Sequence, residues 1–304
     1  MSTAYIQANT NGRLHSADEP SLSPLNRGFL YGDAIYEVWR TYHGVIFAWQ
    51  EHWLRLERSA SALHLRLPWT PTEIFEQIRR TVTAFRATIA DAGELYVRLQ
   101  IARGEGSIGL DPALADEPVF VLLVQRVPQL AGAALDNGLR LTIATTLRRN
   151  HISTLDPAWK TGNYLNNILC LREARSRGAD EVLIPNLAGE ITEAAVCNVV
   201  FLEAQRLVSP PKSSGILAGI TRHLIAREVA ARAGLEWSEA AVRPGDLGRF
   251  QECALLSTTK DVQPVSSIDH HPFNVTANSS MRRLKMAFAE YASDYARAHP
   301  ELAV

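Results

Sequence analysis

The stretch Pro-Ala-Trp-Lys-Thr-Gly-Asn-Tyr, residues 157–164, holds Lys160, one of only four lysines in a chain of 304 residues. It stands immediately before residues 165–177, whose pattern predicts a helix that Gly178 ends. Such a lysine is either a solvated surface charge or a Schiff-base lysine, which needs a semi-enclosed site that keeps the amine partly neutral. A neighbouring phenol, here Tyr164, would steer protons at such a site. The flanking elements and motifs decide between these interpretations.

Strands and helices alternate irregularly on both sides of this stretch. The predicted strands are residues 35–40, 45–49, 95–102, 118–127, 139–145, 181–185, 191–201, 254–257 and the segment after 261. The predicted helices are residues 51–65, 71 to about 90, 165–177, 220–233 and 278–297. The order is not a clean βαβ series, which argues against a Rossmann domain. We therefore expect a mixed α/β (α+β) fold.

The length of the chain favours two domains over one. Residues 128–134, near the middle of the chain, are small and weakly patterned, whereas strand character resumes at residue 139. We therefore predict a small α/β domain at residues 1–127, an interdomain linker at 128–137 and a larger domain at 138–304.

The composition and net charge limit the kinds of molecule that this chain is expected to bind. The net charge is −1, 46% of the residues are hydrophobic and 21% are charged, as in a globular protein without a nucleic-acid-binding surface. The longest strongly apolar run, residues 119–124, is far too short to cross a membrane, and we see no signal peptide. Three widely separated cysteines predict reduced, mostly buried thiols in the cytoplasm. The expected partners are small molecules and further copies of this chain, with no nucleic acid, no membrane and no metal.

Two segments are candidates for binding a phosphate. Residues 215–222 place a glycine-containing turn before a predicted helix, whose first N–H groups and Thr221 hydroxyl would bind phosphate or would simply cap the helix. Residues 257–260, Ser-Thr-Thr-Lys, end a predicted strand and are either a phosphate or carboxylate cradle or an ordinary turn.

Two charged residues are further candidates. Glu193 stands on an otherwise small and apolar strand, where it is either solvated at the strand end or buried with a cation. Arg55 follows His52 by three residues on a predicted helix, where it is either a phosphate ligand or a surface charge.

In this order, the segments resemble those of the class IV aminotransferases, and the resemblance extends from Arg27 to Val265. The matching motifs are Arg-Gly-Phe-Leu-Tyr-Gly-Asp-Ala-Ile-Tyr-Glu-Val from Arg27, Glu-His-x-x-Arg-Leu from Glu51, Lys-Thr-Gly-Asn-Tyr-Leu-Asn-Asn from Lys160, Ile-Thr-Glu ending at Glu193, Leu-Ala-Gly-Ile-Thr-Arg from Leu217 and Ser-Thr-Thr from Ser257. One motif would be weak, but six in the same order favour the functional interpretation of each.

The resemblance implies a two-domain enzyme of fold type IV, with a small α/β domain and a larger pseudo-barrel domain that binds pyridoxal 5′-phosphate (PLP). It implies that Lys160 forms the Schiff base and moves the substrate proton, that Glu193 pairs with the pyridine nitrogen and that Tyr164 bonds the ring phenolate oxygen. The implied cofactor-binding residues are Arg55, Lys160, Tyr164, Glu193, Asn198, Leu217, Gly219, Ile220, Thr221 and Thr258. It also implies a homodimer or a higher homo-oligomer.

Within that family the sequence is closest to the branched-chain amino acid aminotransferases. Tyr96-Val97-Arg98 is similar to a Tyr-x-Arg motif that binds the substrate carboxylate in that group, and we expect the loop at 103–112 to gate access. The implied substrate-binding residues are Tyr31, Tyr36, Arg40, Tyr96, Arg98, Thr258 and Thr259. The predicted reaction moves the amino group of an L-branched-chain amino acid to 2-oxoglutarate.

Three alternatives stay open. The Arg27-Gly28 start resembles D-amino acid aminotransferases, but Ile108 and Leu110 replace the Arg-x-His motif that traps the carboxylate in those enzymes. Aminodeoxychorismate lyases typically carry a threonine after the first-strand motif, which Val38 does not supply. (R)-selective amine transaminases tend to place an acidic residue where Arg98 stands.

Overall fold

The computed structural model describes residues 5–128 and 137–304, and it divides into two compact units. The first unit contains the residues up to Pro128 together with Trp159–Asn163 and Ser293–Val304. The second contains residues 137–158 and Tyr164–Ala292. Of the predicted linker at 128–137, all but the two end residues lie outside the described residues.

Two segments, Trp159–Asn163 and Ser293–Val304, depart from the predicted division, which assigned all of residues 138–304 to the larger domain. The segment Trp159–Asn163 joins the first unit because its backbone pairs with the start of a strand there. The Tyr36 amide donates to the Lys160 carbonyl at 2.9 Å, and the Gly162 amide donates to the Ala34 carbonyl at 2.8 Å. Chain order alone does not reveal such a return.

The first unit is built on a six-stranded antiparallel sheet with strand order β2-β1-β6-β5-β3-β4. Its elements are β1 Gln7–Thr10, β2 Arg13–Ser16, α1 Arg27–Tyr31, β3 Ala34–Tyr42, β4 Val45–Ile46, α2 Trp49–Ala62, α3 Pro71–Thr88, β5 Leu95–Ala102 and β6 Val119–Arg126. Thr70 and Glu73 form a capping box at the start of α3, and Pro71 occupies its first turn, which explains why this helix is predictable.

The two long helices cover only one face of this sheet. Inward residues such as Trp39, Ile78 and Leu99 are completely buried between α2, α3 and the strands. Because side chains alternate along a strand, the even-numbered residues of β3 and β5 point to the opposite face. That face, which α2 and α3 do not cover, carries most of the predicted substrate-binding residues.

The second unit is built on a nine-stranded mixed sheet with the path β12-β11-β10-β13-β14-β7-β8-β9, and β15 pairs with β14. Its strands are β7 Leu139–Ile143, β8 Glu181–Pro185, β9 Ile191–Ala194, β10 Asn198–Glu203, β11 Arg206–Ser209, β12 Glu236–Glu239, β13 Glu252–Ser257, β14 Asp261–Ile268 and β15 His271–Pro272. Its helices are α4 Leu165–Ser176, α5 Ile220–Leu224 and α6 Ala230–Arg232, and α7 Ser280–Ala298 follows.

Two elements of this unit differ from their predictions. The single strand predicted at 191–201 is wrong: the chain turns between β9 and β10, where the Ala194 amide donates to the Cys197 carbonyl at 2.8 Å. This turn joins the last strand of the path to a central one, so the sheet curls back on itself. The helix predicted at 220–233 forms, but Ile225–Val229 are π-helical between α5 and α6.

Candidate active site

The Lys160 side chain lies over an aromatic ring of the first unit. Its ammonium nitrogen is 4.2 Å from the centroid of the Tyr36 ring, and its backbone amide donates to the Ser59 hydroxyl at 3.1 Å. Lys160 is half-buried, so it is not a fully solvated surface charge. The backbone of the candidate catalytic lysine is thus held by hydrogen bonds to Tyr36 of β3 and Ser59 of α2.

Arg98 lies over the same Tyr36 ring, with its guanidinium carbon 3.9 Å from the ring centroid. Its Nη2 donates to Gln100 Oε1 at 2.9 Å, and no carboxylate of the described residues pairs with it. A half-buried guanidinium without an anionic partner is suited to bind a substrate carboxylate.

The strand register places two further predicted residues with respect to Arg98. Arg40 and Tyr96 stand directly opposite each other on β3 and β5, on the face that carries Arg98. The Arg40 guanidinium lies 4.2 Å from the centroid of the Tyr42 ring. Tyr31 instead lies on α1, where its hydroxyl accepts a hydrogen bond from the Gly109 amide at 3.1 Å.

Arg55, the predicted phosphate ligand, lies on the buried side of β3 and pairs with Glu37. Arg55 Nε and Nη2 donate to the two Glu37 carboxylate oxygens at 2.7 and 2.8 Å, and His52 Nδ1 lies 2.7 Å from Glu37 Oε2. Burial alone would raise the pKa of Glu37, but the charge and hydrogen bonds of Arg55 outweigh burial and hold the pKa far below its ordinary value. Burial lowers the pKa of His52. Glu37 therefore fixes the direction of the Arg55 guanidinium.

Arg27 holds the 103–112 loop. Its Nη1 donates to the carbonyl oxygens of Gly109 and Asp111 at 2.8 and 3.3 Å, and its Nη2 donates to that of Leu110 at 3.2 Å. Its Nε pairs with Asp33, which also receives two hydrogen bonds from Arg103. Burial would raise the pKa of Asp33, but the two arginines lower it overall.

The glycines of this loop, residues 104–109, have the Gly-x-Gly-x-x-Gly spacing. The next element, however, is the 3-10 turn Pro112–Leu114 rather than the helix that a dinucleotide site requires. The loop is therefore not part of a dinucleotide-binding site.

Glu193 is a buried and paired carboxylate in the second unit. Its Oε1 accepts a hydrogen bond from Arg149 Nη2 at 2.6 Å, and its Oε2 accepts from Asn198 Nδ2 at 2.8 Å and from the Leu217 amide at 3.1 Å. Arg149 Nη1 donates to Asn167 Oδ1 at 3.1 Å, whereas its buried Nε has no hydrogen-bond acceptor among the described residues. Of the two interpretations of Glu193, the structure supports the buried group with a cationic partner.

Gly219 allows this carboxylate network to form. A Cβ atom at residue 219 would lie 1.9 Å from Asn198 Oδ1, which is far inside van der Waals contact. The Asn198 amide can therefore donate to both Glu193 and the Leu217 carbonyl only while residue 219 lacks a side chain.

The phosphate candidates of the second unit lie at a helix start and at a strand end. Ile220 and Thr221 are buried in the first turn of α5, where their N–H groups have no acceptor among the described residues. Thr258 and Thr259 occupy the half-buried turn between β13 and β14, and Tyr164 immediately precedes α4.

The sequence itself matches a family model over residues 34–268, and that model is described as Amino-transferase class IV. The chain belongs to the class IV aminotransferases. The predicted family and the predicted enzyme class are therefore confirmed. Class IV aminotransferases depend on PLP, which confirms the cofactor prediction.

Curated relatives of this aminotransferase carry two kinds of name. A putative branched-chain-amino-acid aminotransferase of Methanocaldococcus jannaschii is 31% identical over 264 residues, which cover 87% of this chain and 88% of the relative. A D-alanine aminotransferase of Bacillus licheniformis is 29% identical over 267 residues, which cover 85% of this chain and 87% of the relative. The transamination chemistry is thus common to the relatives, while the named substrates differ.

Solved structures confirm the fold type IV prediction. The branched-chain aminotransferase of Thermoproteus uzoniensis with norvaline superposes with a TM-score of 0.86 at 23% identity, covering 98% of both chains. The branched-chain amino acid aminotransferase of Escherichia coli superposes with a TM-score of 0.82 at 25% identity, covering 94% of this chain and 93% of that one.

The residues of this aminotransferase fit PLP chemically. A buried carboxylate suits a pyridine nitrogen, helix N–H groups without acceptors suit a phosphate, and a half-buried lysine amine suits an aldehyde. In the parts of the chain that the structure describes, no cluster of His, Cys, Asp or Glu could hold a metal ion, and no helix is long and apolar enough to cross a membrane.

Three supporting residues were not among the sequence candidates. Glu37 could have been recognised, because an acidic residue on the inward side of a predicted strand requires a buried partner. Arg149 offered no such signal, since it pairs with groups from distant parts of the chain. Arg27 opens a recognisable motif, but its contacts with the loop at 103–112 join residues 82 to 84 positions apart.

Proposed function

We propose that this aminotransferase moves the amino group of an L-branched-chain amino acid, such as leucine, isoleucine or valine, to 2-oxoglutarate. The observation that carries the proposal is Arg98, a half-buried guanidinium with no carboxylate partner among the described residues. It occupies the last position of a Tyr-x-Arg motif in which Tyr96 faces the same side of the sheet. The M. jannaschii relative supports the substrate class by its name.

The cofactor-binding residues are proposed from the motif match and from the geometry within each unit. Lys160 would hold PLP covalently through its side-chain amine and would move the proton at the substrate Cα. Glu193, held by Arg149, pairs with the pyridine nitrogen, and Tyr164 bonds the phenolate oxygen. Bound PLP supplies an electron sink for the pair of electrons left at the substrate Cα.

The proposed phosphate-binding residues are Arg55, Ile220, Thr221 and Thr258. Arg55 keeps a fixed direction through Glu37, and the amides of Ile220 and Thr221 lack acceptors among the described residues. The Thr258 hydroxyl would be a further phosphate donor, and Leu217 would pack on the PLP ring. Gly219 leaves room for Asn198, which holds the Glu193 carboxylate and the Leu217 backbone in place.

The substrate itself is proposed to bind through its carboxylate and its side chain. Arg98, Tyr96, Arg40 and the amides of Thr258 and Thr259 bind carboxylate groups. Tyr36 and Tyr31 contact the aliphatic side chain.

The D-amino acid aminotransferases remain the second candidate, because a named D-alanine aminotransferase is 29% identical to this chain. Ile108 and Leu110, both more than three quarters exposed, stand where those enzymes carry a carboxylate trap, and neither can bind an anion.

Absorbance spectroscopy of the PLP-loaded protein tests the proposal. L-leucine alone, without any oxo acid, should bleach the visible cofactor band, and D-alanine alone should not. Arg98→Ala should raise the KM for L-leucine and 2-oxoglutarate, whereas the control Arg126→Ala, at an exposed arginine of β6, should leave both unchanged. Bleaching by D-alanine alone, or an unchanged KM in Arg98→Ala, would refute the L-branched-chain assignment.

We further propose that the functional unit is a homodimer or a higher homo-oligomer in the cytoplasm. Helix α4 supports self-association, because Leu165 and Ile168 are 67% and 60% exposed on its surface. The three cysteines are buried, unpaired thiols, as in a reducing compartment. Sedimentation equilibrium tests the assembly, and a monomer at micromolar concentration would contradict it.

A further inference from the structure

Gln100 is the only polar side chain that forms a hydrogen bond with the Arg98 guanidinium in the described residues. The two residues are separated by one position on β5, so both point to the face of the sheet opposite α2 and α3. Gln100 also stands directly opposite Tyr36 on β3 in the antiparallel register. Gln100 therefore accepts a hydrogen bond from Arg98 and also lies beside Tyr36, whose ring is the other contact of the guanidinium.

These two contacts restrict the guanidinium in different ways. The Tyr36 ring lies 3.9 Å from the guanidinium carbon and restricts the tilt of the guanidinium plane. Gln100 Oε1 lies 2.9 Å from Nη2 and restricts rotation of the guanidinium within that plane. An unrestrained arginine side chain loses considerable rotamer entropy when it binds a ligand. Here part of that entropy is already lost before an anion arrives, which favours binding.

The chemical type of residue 100 matters as much as its position. A glutamine amide is neutral, so it orients the guanidinium while leaving its positive charge uncompensated. A glutamate in the same place would accept the same hydrogen bond but would form an ion pair that competes with a carboxylate ligand. An aliphatic residue would preserve the charge and lose the orientation.

We infer that Gln100 is a positioning residue that orients Arg98 for a carboxylate ligand and so favours substrates that carry a carboxylate over amines that lack one. This inference rests on the proposed function, in which Arg98 binds the substrate carboxylate. Gln100 itself does not have to contact the reacting atoms.

Calorimetric binding to the PLP-loaded protein tests this role without turnover. The probe is 4-methylpentanoate, which has the carbon skeleton of leucine without the amino group, and 4-methylpentanamide is its uncharged counterpart. Gln100→Met should raise the Kd for the carboxylate about tenfold and leave that for the amide unchanged, because a hydrogen bond to a charged group is lost. Gln100→Glu should raise the Kd for the carboxylate further. The KM for L-leucine should rise in parallel while kcat stays within about twofold.

Gln125→Met is a matched control, since Gln125 lies opposite Tyr96 on the same face of the sheet and forms no hydrogen bond with Arg98. It should leave both dissociation constants unchanged. Equal weakening of carboxylate and amide binding in Gln100→Met would indicate a merely structural role and overturn the inference.

Arg98→Met in the same series separates this inference from the proposed function. If Arg98→Met weakens carboxylate binding and Gln100→Met does not, the inference about Gln100 is wrong while the carboxylate assignment survives. If Arg98→Met has no effect, the carboxylate does not bind Arg98 and both fail.

Discussion

Removing Arg149 tests whether the Glu193 network depends on its cation. The pair is separated by 2.6 Å, and the arginine and glutamate side chains are only 9% and 5% exposed. Arg149→Met would leave the buried carboxylate without that guanidinium, a change that typically costs about 3–5 kcal/mol. Because Glu193 keeps its hydrogen bonds from Asn198 and the Leu217 amide, we expect a loss near the lower limit, about 3 kcal/mol.

The assay is urea unfolding of the apoprotein, followed by fluorescence, and repeated after loading with PLP. If the pyridine nitrogen pairs with Glu193 as proposed, it supplies a second cation, so the stability lost in Arg149→Met should be smaller in the loaded protein. The double variant Arg149→Met/Glu193→Gln should lose less than the sum of the single variants, because neither charge is then left alone.

Arg175→Met is the comparison, since Arg175 is 61% exposed and lies 3.9 Å from its partner Asp180. This variant should change the stability by no more than about 0.5 kcal/mol. The reasoning is refuted if Arg149→Met costs no more than Arg175→Met, or if PLP loading leaves its deficit unchanged in a protein that still binds the cofactor.

Three other substitutions or reagents give defined outcomes. Glu173 has a pKa lowered to about 2, since hydrogen bonds from Thr145 and the following residue outweigh burial, which acts in the opposite direction. The ionised Glu173 carboxylate therefore stabilises the fold above its ordinary pKa of 4.5. Glu173→Gln should lower the free energy of unfolding by about 2 kcal/mol at pH 7. In urea titrations, the difference in stability between the variant and the wild type should shrink as the pH falls towards 2. Gly219→Ala should displace Asn198 and weaken PLP binding at least about tenfold by absorbance titration, while Gly245→Ala, where a Cβ meets nothing within 4 Å, should not; equal affinities would contradict the packing described. The three buried thiols should react with Ellman's reagent at least about a hundredfold more slowly in the native protein than in urea, and rapid native labelling would show that the burial is wrong.

The elements that local chemistry specifies were predictable. Helix α3 carries its own start signal in Thr70, Pro71 and Glu73, and its boundaries agree closely with the prediction. The β1–β2 hairpin was not predicted, although the pair Asn11-Gly12 is a typical hairpin-turn sequence. In the structure these two residues have the positive φ angles of 48° and 91° that such a turn requires. The division of 191–201 into two strands had no comparable signal, because the turn at 195–197 contains only alanine, valine and cysteine.

The motif residues of the candidate site were predictable, whereas the supporting residues outside the motifs were not. Glu193 stands in a recognisable motif, but its partner Arg149 lies 44 positions away and belongs to no motif. Likewise the Gln100 contact appears only when alternate side chains of a strand are placed on one face. Such pairings depend on which strands and side chains the fold brings together, and no local pattern in a single sequence indicates them.

The way in which Arg27 holds the 103–112 loop has a consequence for protein engineering. Its loop acceptors are backbone carbonyl oxygens, those of Gly109, Leu110 and Asp111, so the anchorage does not depend on which side chains the loop carries. Ile108 and Leu110 project outward and are 77% and 78% exposed. A library randomised at these two positions should thus retain the loop conformation in most of its members, which makes this loop a suitable place to evolve new substrate preferences in the laboratory.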